Sequence, residues 1–230
     1  MSAPADEPAM TDAVVQSRLN EMVGAEPATP DDIRDREAAG VLLAEVVRDA
    51  GRVQWSGSTW SRLAVLARLV GHAGAERVCV ARARTAGETL LAHAEVVVRE
   101  LLAKDRAHEA LPAATNLMRQ SGGTSVARVL LAAASLASDS PGAAAEALAD
   151  VPDAAHLGVY DRLLLARAWM ALEAWERLEA ALRTIHEVPE WLRAQRDFLV
   201  AASLARQGRT VEALAILDAL LDSATVPEGG

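Results

Sequence analysis

A chain of 230 residues, 51% hydrophobic and 24% charged, has ample material for a folded core. Its net charge of −9, with Lys104 the sole lysine among scattered arginines, argues against a nucleic-acid partner, which needs concentrated cationic side chains. The single cysteine, Cys79, excludes an internal disulfide and fits a reducing cytoplasm, while the longest apolar stretch, Val129 to Ala137, is far too short to cross a membrane.

Along the chain, residues 1–10 are rich in proline and acids and are expected to be disordered; they lack the basic start and apolar block of a secretory signal. Thr11 caps a first helix that runs to Val23. Thr29, Pro30 and Asp32 then open a second, with a cap hydroxyl, a proline in the first turn and acids near the positive end. It stops at Ala50–Gly51. From Trp60 onward, helix pairs are expected at 59–71 and 75–84, 87–104 and 106–120, 125–138 and 141–151, 158–173 and 175–187, and 191–207 and 211–222. Gly122–Gly123–Thr124, Ser140–Pro141 and Gly208 with Thr210 supply turns and caps between them. Residues 223–230 read as a frayed tail.

These helices repeat. Ala110, Ala144, Leu178 and Ala213 stand 34, 34 and 35 residues apart, and four further rows keep the same steps: Val98, Ala132, Ala166, Ala201; Leu101, Ser135, Trp169, Leu204; Ala114, Leu148, Leu182, Leu217; and Leu117, Val151, Ile185, Leu220. Every row gains its extra residue in the last interval, so one insertion after Ile185, near Pro189, accounts for all five. A sustained period of this length is the mark of an α-solenoid, whose units bury their apolar faces only against their neighbours.

The pattern resembles the tetratricopeptide repeat (TPR) family. Trp60, Leu63, Ala64 and Ala67 match its first-helix half; Leu165, Ala166, Trp169, Leu178, Leu182 and Val200, Ala201, Leu204, Ala213, Leu217 match later units. The family's tryptophan position holds Ala94, Arg128, Arg162 and Asp197 further along. The resemblance implies an all-α fold, a right-handed α–α superhelix of about five helix pairs over 57–222, with residues 11–56 forming irregular N-terminal helices or a capping unit.

In that family the first helix of each pair lines a concave face. Projected onto this chain, the lining includes Glu95, Arg99 and Leu102; Val129 and Leu136; Tyr160, Leu163, Arg167 and Met170; and Phe198 and Arg206. Members that clamp a terminal carboxylate use Lys and Asn there, whereas the corresponding positions here hold Glu95, Val129, Leu163, Phe198 and Arg99, Ala133, Arg167, Ala202, so such a clamp is not expected. The result is an apolar channel studded with arginine, suited to an apolar segment that carries some acids. The same residues could instead pack on each other. Trp55, outside the repeat phase, is the candidate for an exposed anchor, or alternatively a staple over the next helix.

Catalytic chemistry is not evident. His72, His93, His108, His156 and His186 fall singly, without metal-ligand spacing, and no glycine-rich loop follows a strand. Cys79 lies in an apolar series with Ala75 and Val78, as a packing cysteine would. The expectation is a cytoplasmic, non-enzymatic adaptor or scaffold that binds a protein or peptide segment, without cofactor, metal, nucleic acid or membrane. A structural subunit of a larger or homo-oligomeric assembly, and a regulatory or accessory domain of an enzyme, remain open.

Overall fold

A computed structural model of the chain describes residues 10–23, 29–151 and 154–225. The segment expected to be disordered, 1–10, lies outside these residues except for Met10. Regular structure among the described residues is helical: α1 (Asp12–Met22), α2 (Arg36–Asp49), α3 (Gly57–Leu69), α4 (Ala73–Thr85), α5 (Leu91–Ala103), α6 (Ala107–Ser121), α7 (Ser125–Ala137), α8 (Pro141–Leu148), α9 (Val159–Ala171), α10 (Trp175–Arg183), α11 (Glu190–Arg206) and α12 (Thr210–Thr225), with short 3-10 turns at Pro30–Asp32 and Ala154–His156. Helices α1 to α5 belong to one compact unit, Met1–Lys104, and α6 to α12 to a second, Asp105–Gly230.

Local chemistry sets most boundaries. The side chains of Thr11, Ser56 and Thr124 accept from the amides of Val14, Thr59 and Ala127, satisfying donors that a helix start leaves open. The start of α2 departs from expectation. Thr29–Pro30–Asp32 makes a capping box but sustains only one 3-10 turn, because Ile33 pairs with Val23 in an isolated bridge and Arg34 N–H donates to the Met22 carbonyl at 2.9 Å. Asp35 is the true cap, accepting from Ala38 N–H at 2.9 Å. At the other end α12 continues to Thr225, past the expected start of the tail; residues 226–230 lie outside the described residues.

Within the first unit α3 packs against α1, α2, α4 and α5, and α2 packs against α4. Nine of its thirteen residues are buried, Leu63, Ala64 and Leu66 among them, so α3 is the spine of a core that also takes Val15 and Leu19 from α1 and Leu42 and Leu43 from α2. Cys79 lies fully buried in this core, and burial pushes its thiol up to about 12, far from the reactive range.

Within the second unit α7 packs on α6, α8 and α9, α9 on α10 and α11, and α11 on α10 and α12. Adjacent helices thus form pairs, and the first helix of one pair meets the first of the next. Small residues at the contact, Ala132, Ala166 and Ala201, are buried, which permits close approach.

The repeat is written into the backbone as well. Gly71, Asp105, Asp139, Glu173 and Gly208 all adopt left-handed φ values, 77°, 54°, 55°, 56° and 79°. Their spacing is 34, 34, 34 and 35 residues, the same sequence of steps as the side-chain rows. Each ends a first helix. Around four of them the turn closes identically, with His72 N–H donating to the Ala67 carbonyl at 2.8 Å, Ser140 to Ser135 at 2.8 Å, Ala174 to Trp169 at 2.9 Å and Arg209 to Leu204 at 3.0 Å, the six-to-one bond of a Schellman motif.

Candidate functional site

In the second unit the faces of α9 and α11 carry the most unusual surface. Aromatic residues are scarce in this chain, with one Tyr, one Phe and five Trp. The single Tyr, Tyr160, begins α9, and its ring lies 6.2 Å from that of Trp191 at the start of α11. Seven residues further along each helix, and so on the same face, stand Arg167 and Phe198. Phe198 is 50% and Trp191 38% exposed, and Arg167 is exposed with no hydrogen bond or ion pair among the described residues. Met170 is half-buried beside this face, and exposed Arg206 holds its guanidinium 5.8 Å from the Trp175 ring. A neighbouring pair, Arg177 over Trp169 at 4.7 Å, covers a ring that is itself buried.

Two residues expected in the lining are not there. Val129 and Leu163 are fully buried. First helices meet directly along α7–α9 and α9–α11, so these positions fill the helix–helix seam rather than face outward. Leu136, in α7, is half-buried.

In the first unit Glu95 and Leu102 are half-buried, and Arg99 is 6% exposed, its Nη2 donating to Glu95 Oε2 at 3.4 Å. Arg99 is therefore a packed, partnered residue and offers no outward charge. Beside it runs a polar chain across α3, α4 and α5, with ion pairs from Arg68 Nε to Glu100 Oε2 at 2.6 Å, Arg68 Nη1 to Glu76 Oε1 at 3.3 Å and Lys104 Nζ to Glu100 Oε1 at 2.5 Å, and a hydrogen bond between His93 Nε2 and Glu76 Oε1 at 2.8 Å. Burial would raise the Glu100 carboxyl, but hydrogen bonds and charge from Lys104 and Arg68 outweigh it and hold Glu100 below its ordinary range. Among the described residues no group of His, Cys, Asp or Glu is placed to hold a metal ion, and no helix is long and apolar enough to cross a membrane.

Trp55 is not an exposed anchor. It is 7% exposed, its Nε1 donates to the Met10 carbonyl at 2.8 Å, and its ring lies 4.7 Å from that of Trp60. The partner that covers it is 45 residues distant in sequence, a contact no local pattern announces. Conversely, Trp191 was not among the expected lining residues; its seven-residue spacing to Phe198 is the signal that both share an outward face. Compared with known proteins, the chain matches no protein-family model, no curated protein and no solved structure.

Proposed function

We propose that this protein is a non-enzymatic adaptor of TPR type, a right-handed superhelix of helix pairs that binds a segment of another protein on the outward face of α9 and α11. The 34-residue recurrence of left-handed turn residues supports the repeat architecture. The observation that carries the binding role is the exposure of Phe198 and Trp191 next to an unpartnered Arg167. Large aromatic side chains left in water are costly, and they are the residue types that dominate interfaces when a partner desolvates them. The fitting ligand is a segment with apolar anchors that enter between the aromatic rings and a carboxylate that meets Arg167 through charge-assisted bonds.

The test is selection of binders from a displayed library of random peptides against the full chain, with circular dichroism of each variant as the folding control. Selected peptides should be enriched in acidic and apolar residues and should lose at least tenfold in affinity for Phe198→Asp and for Arg167→Glu. Peptides without that bias, or with undiminished affinity for both folded variants, would remove the binding face from α9 and α11.

A further inference from the structure

Between the end of α8, α9 and α10 lies a crevice of about 300 Å³, at the small end of the range for small-molecule sites. Its walls are mostly aliphatic: Val151, Leu165, Ala180 and Ala181 line it beside the buried ring of Trp169. It lies inside the run of helices, since α11 already packs on α9 and α10.

One charged side chain lines it. Arg177 is exposed, with its guanidinium 4.7 Å from the centre of the Trp169 ring. Its neighbours one turn on along α10 are Ala180 and Ala181, so no helix ion pair forms there. Arg177 has no hydrogen bond or ion pair among the described residues. The other polar side chain of the walls, Thr184, is already used. Its hydroxyl donates to the Ala181 carbonyl at 2.7 Å, and its own carbonyl accepts from Arg162 Nη1 at 2.6 Å. A guanidinium resting on a ring keeps its N–H edges for an acceptor. The crevice supplies none.

The next repeat gives the contrast. A crevice at the corresponding positions, Ile185, Val200, Ala215 and Ile216 among them, also has cationic walls, but there each cation is paired. Arg193 meets Glu190 at 2.8 Å and Arg196 meets Asp197 at 2.5 Å. Of the two, the crevice at α8–α10 alone presents positive charge without an acid. We propose that it binds a small organic acid. The carboxylate takes paired N–H bonds from Arg177, and the apolar body lies on Trp169 among Val151, Leu165 and Ala180. An amine would meet like charge, and a wholly apolar ligand would cover the guanidinium without pairing it. This site uses neither Arg167 nor Phe198 and stands independently of the peptide face.

The probes are a panel of straight-chain and aryl-substituted alkanoates, each matched with its alcohol and its amine, titrated into the full chain by saturation-transfer NMR. Acids should saturate, weaken with added salt, and bind at least tenfold more tightly than the matching alcohols and amines. Arg177→Gln should cost at least tenfold. Ala180→Phe, which fills the crevice from an exposed position, should abolish binding, and both variants should keep the circular-dichroism spectrum of the native chain. Arg167→Glu should bind the acids as the native chain does. Failure of every acid in the panel to saturate overturns the proposal, as does undiminished binding by the folded Arg177→Gln variant. Alcohols that bind as tightly as the acids also overturn it, and so does loss of binding on Arg167→Glu, which places the acids on the face of α9 and α11.

Discussion

The Nε of Arg162 donates to the Leu157 carbonyl at 2.7 Å, five residues back in the turn that precedes α9. One repeat earlier Arg128 does the same to Gly123, at 3.0 Å. Both arginines stand whole 34-residue steps after Trp60, and they fill that place with directed hydrogen bonds instead of a ring. Arg162 also reaches the Thr184 carbonyl at 2.6 Å through Nη1, tying the start of α9 to the end of α10. Arg162→Ala should therefore lower stability by about 2 kcal/mol, since it strands two half-buried carbonyls. Arg162→Lys should recover only part, because an ammonium lacks the planar fork. Urea unfolding of the three proteins measures the order.

Asp139 and Glu173 occupy left-handed turn positions that are glycine at the corresponding points of the first and last repeats, Gly71 and Gly208. A Cβ in that region costs about 1 kcal/mol, partly returned by the lower unfolded-state entropy of a non-glycine residue. Asp139→Gly should accordingly raise stability by a net of roughly 0.5 kcal/mol, read as a higher thermal midpoint. Gly208→Ala should lower stability by about 1 kcal/mol, read as a lower midpoint. If both substitutions move the midpoint in the same direction, backbone strain is not what these turns share.

Burial of Trp55 turns an expected binding residue into a structural one. Trp55→Ala should destabilise the protein by about 3–5 kcal/mol, the usual cost of deleting a buried ring. Trp55→Phe, which keeps ring contact with Trp60 but removes the donor to the Met10 carbonyl, should cost about 1 kcal/mol. Peptide binding at α9 and α11 should be unchanged by the Phe variant.

These contrasts locate what a linear reading can reach. The period, the turn glycines and the side-chain caps are local or regularly spaced, so Gly208, Thr11 and Thr124 were legible before any coordinates. The lining was not legible to the same degree. Val129 and Leu163 share the apolar character of outward candidates, and which of two adjacent residues turns into the seam depends on a few tens of degrees of helix rotation set by packing against α7, α9 and α11. Asp35 lost its capping role to Thr29 in the sequence because the Val23–Ile33 bridge, formed across the turn, decides where α2 can begin.

The ion-pair chain around Glu100 gives the first unit an acid-sensitive element. Its carboxyl is lowered in the folded state, so its contribution is present above the ordinary glutamate range near pH 4.3 and is lost as pH falls through the lowered folded value. Glu100→Gln should reduce stability at pH 7 by about 1 kcal/mol or less, given partial solvent screening. The gap between wild type and variant should then shrink as pH falls below the ordinary glutamate range. A gap that stays constant with pH would mean that the pairs with Arg68 and Lys104 contribute packing rather than charge.

Because Cys79 is sealed inside the core around α3, a thiol reagent can reach it only when that core opens. Its modification rate is a built-in clock for opening of the first unit, readable by mass spectrometry with no label added. Any cysteine engineered on the outward face of α9, α11 or α12 would react first, and so could carry a dye while the native thiol keeps time.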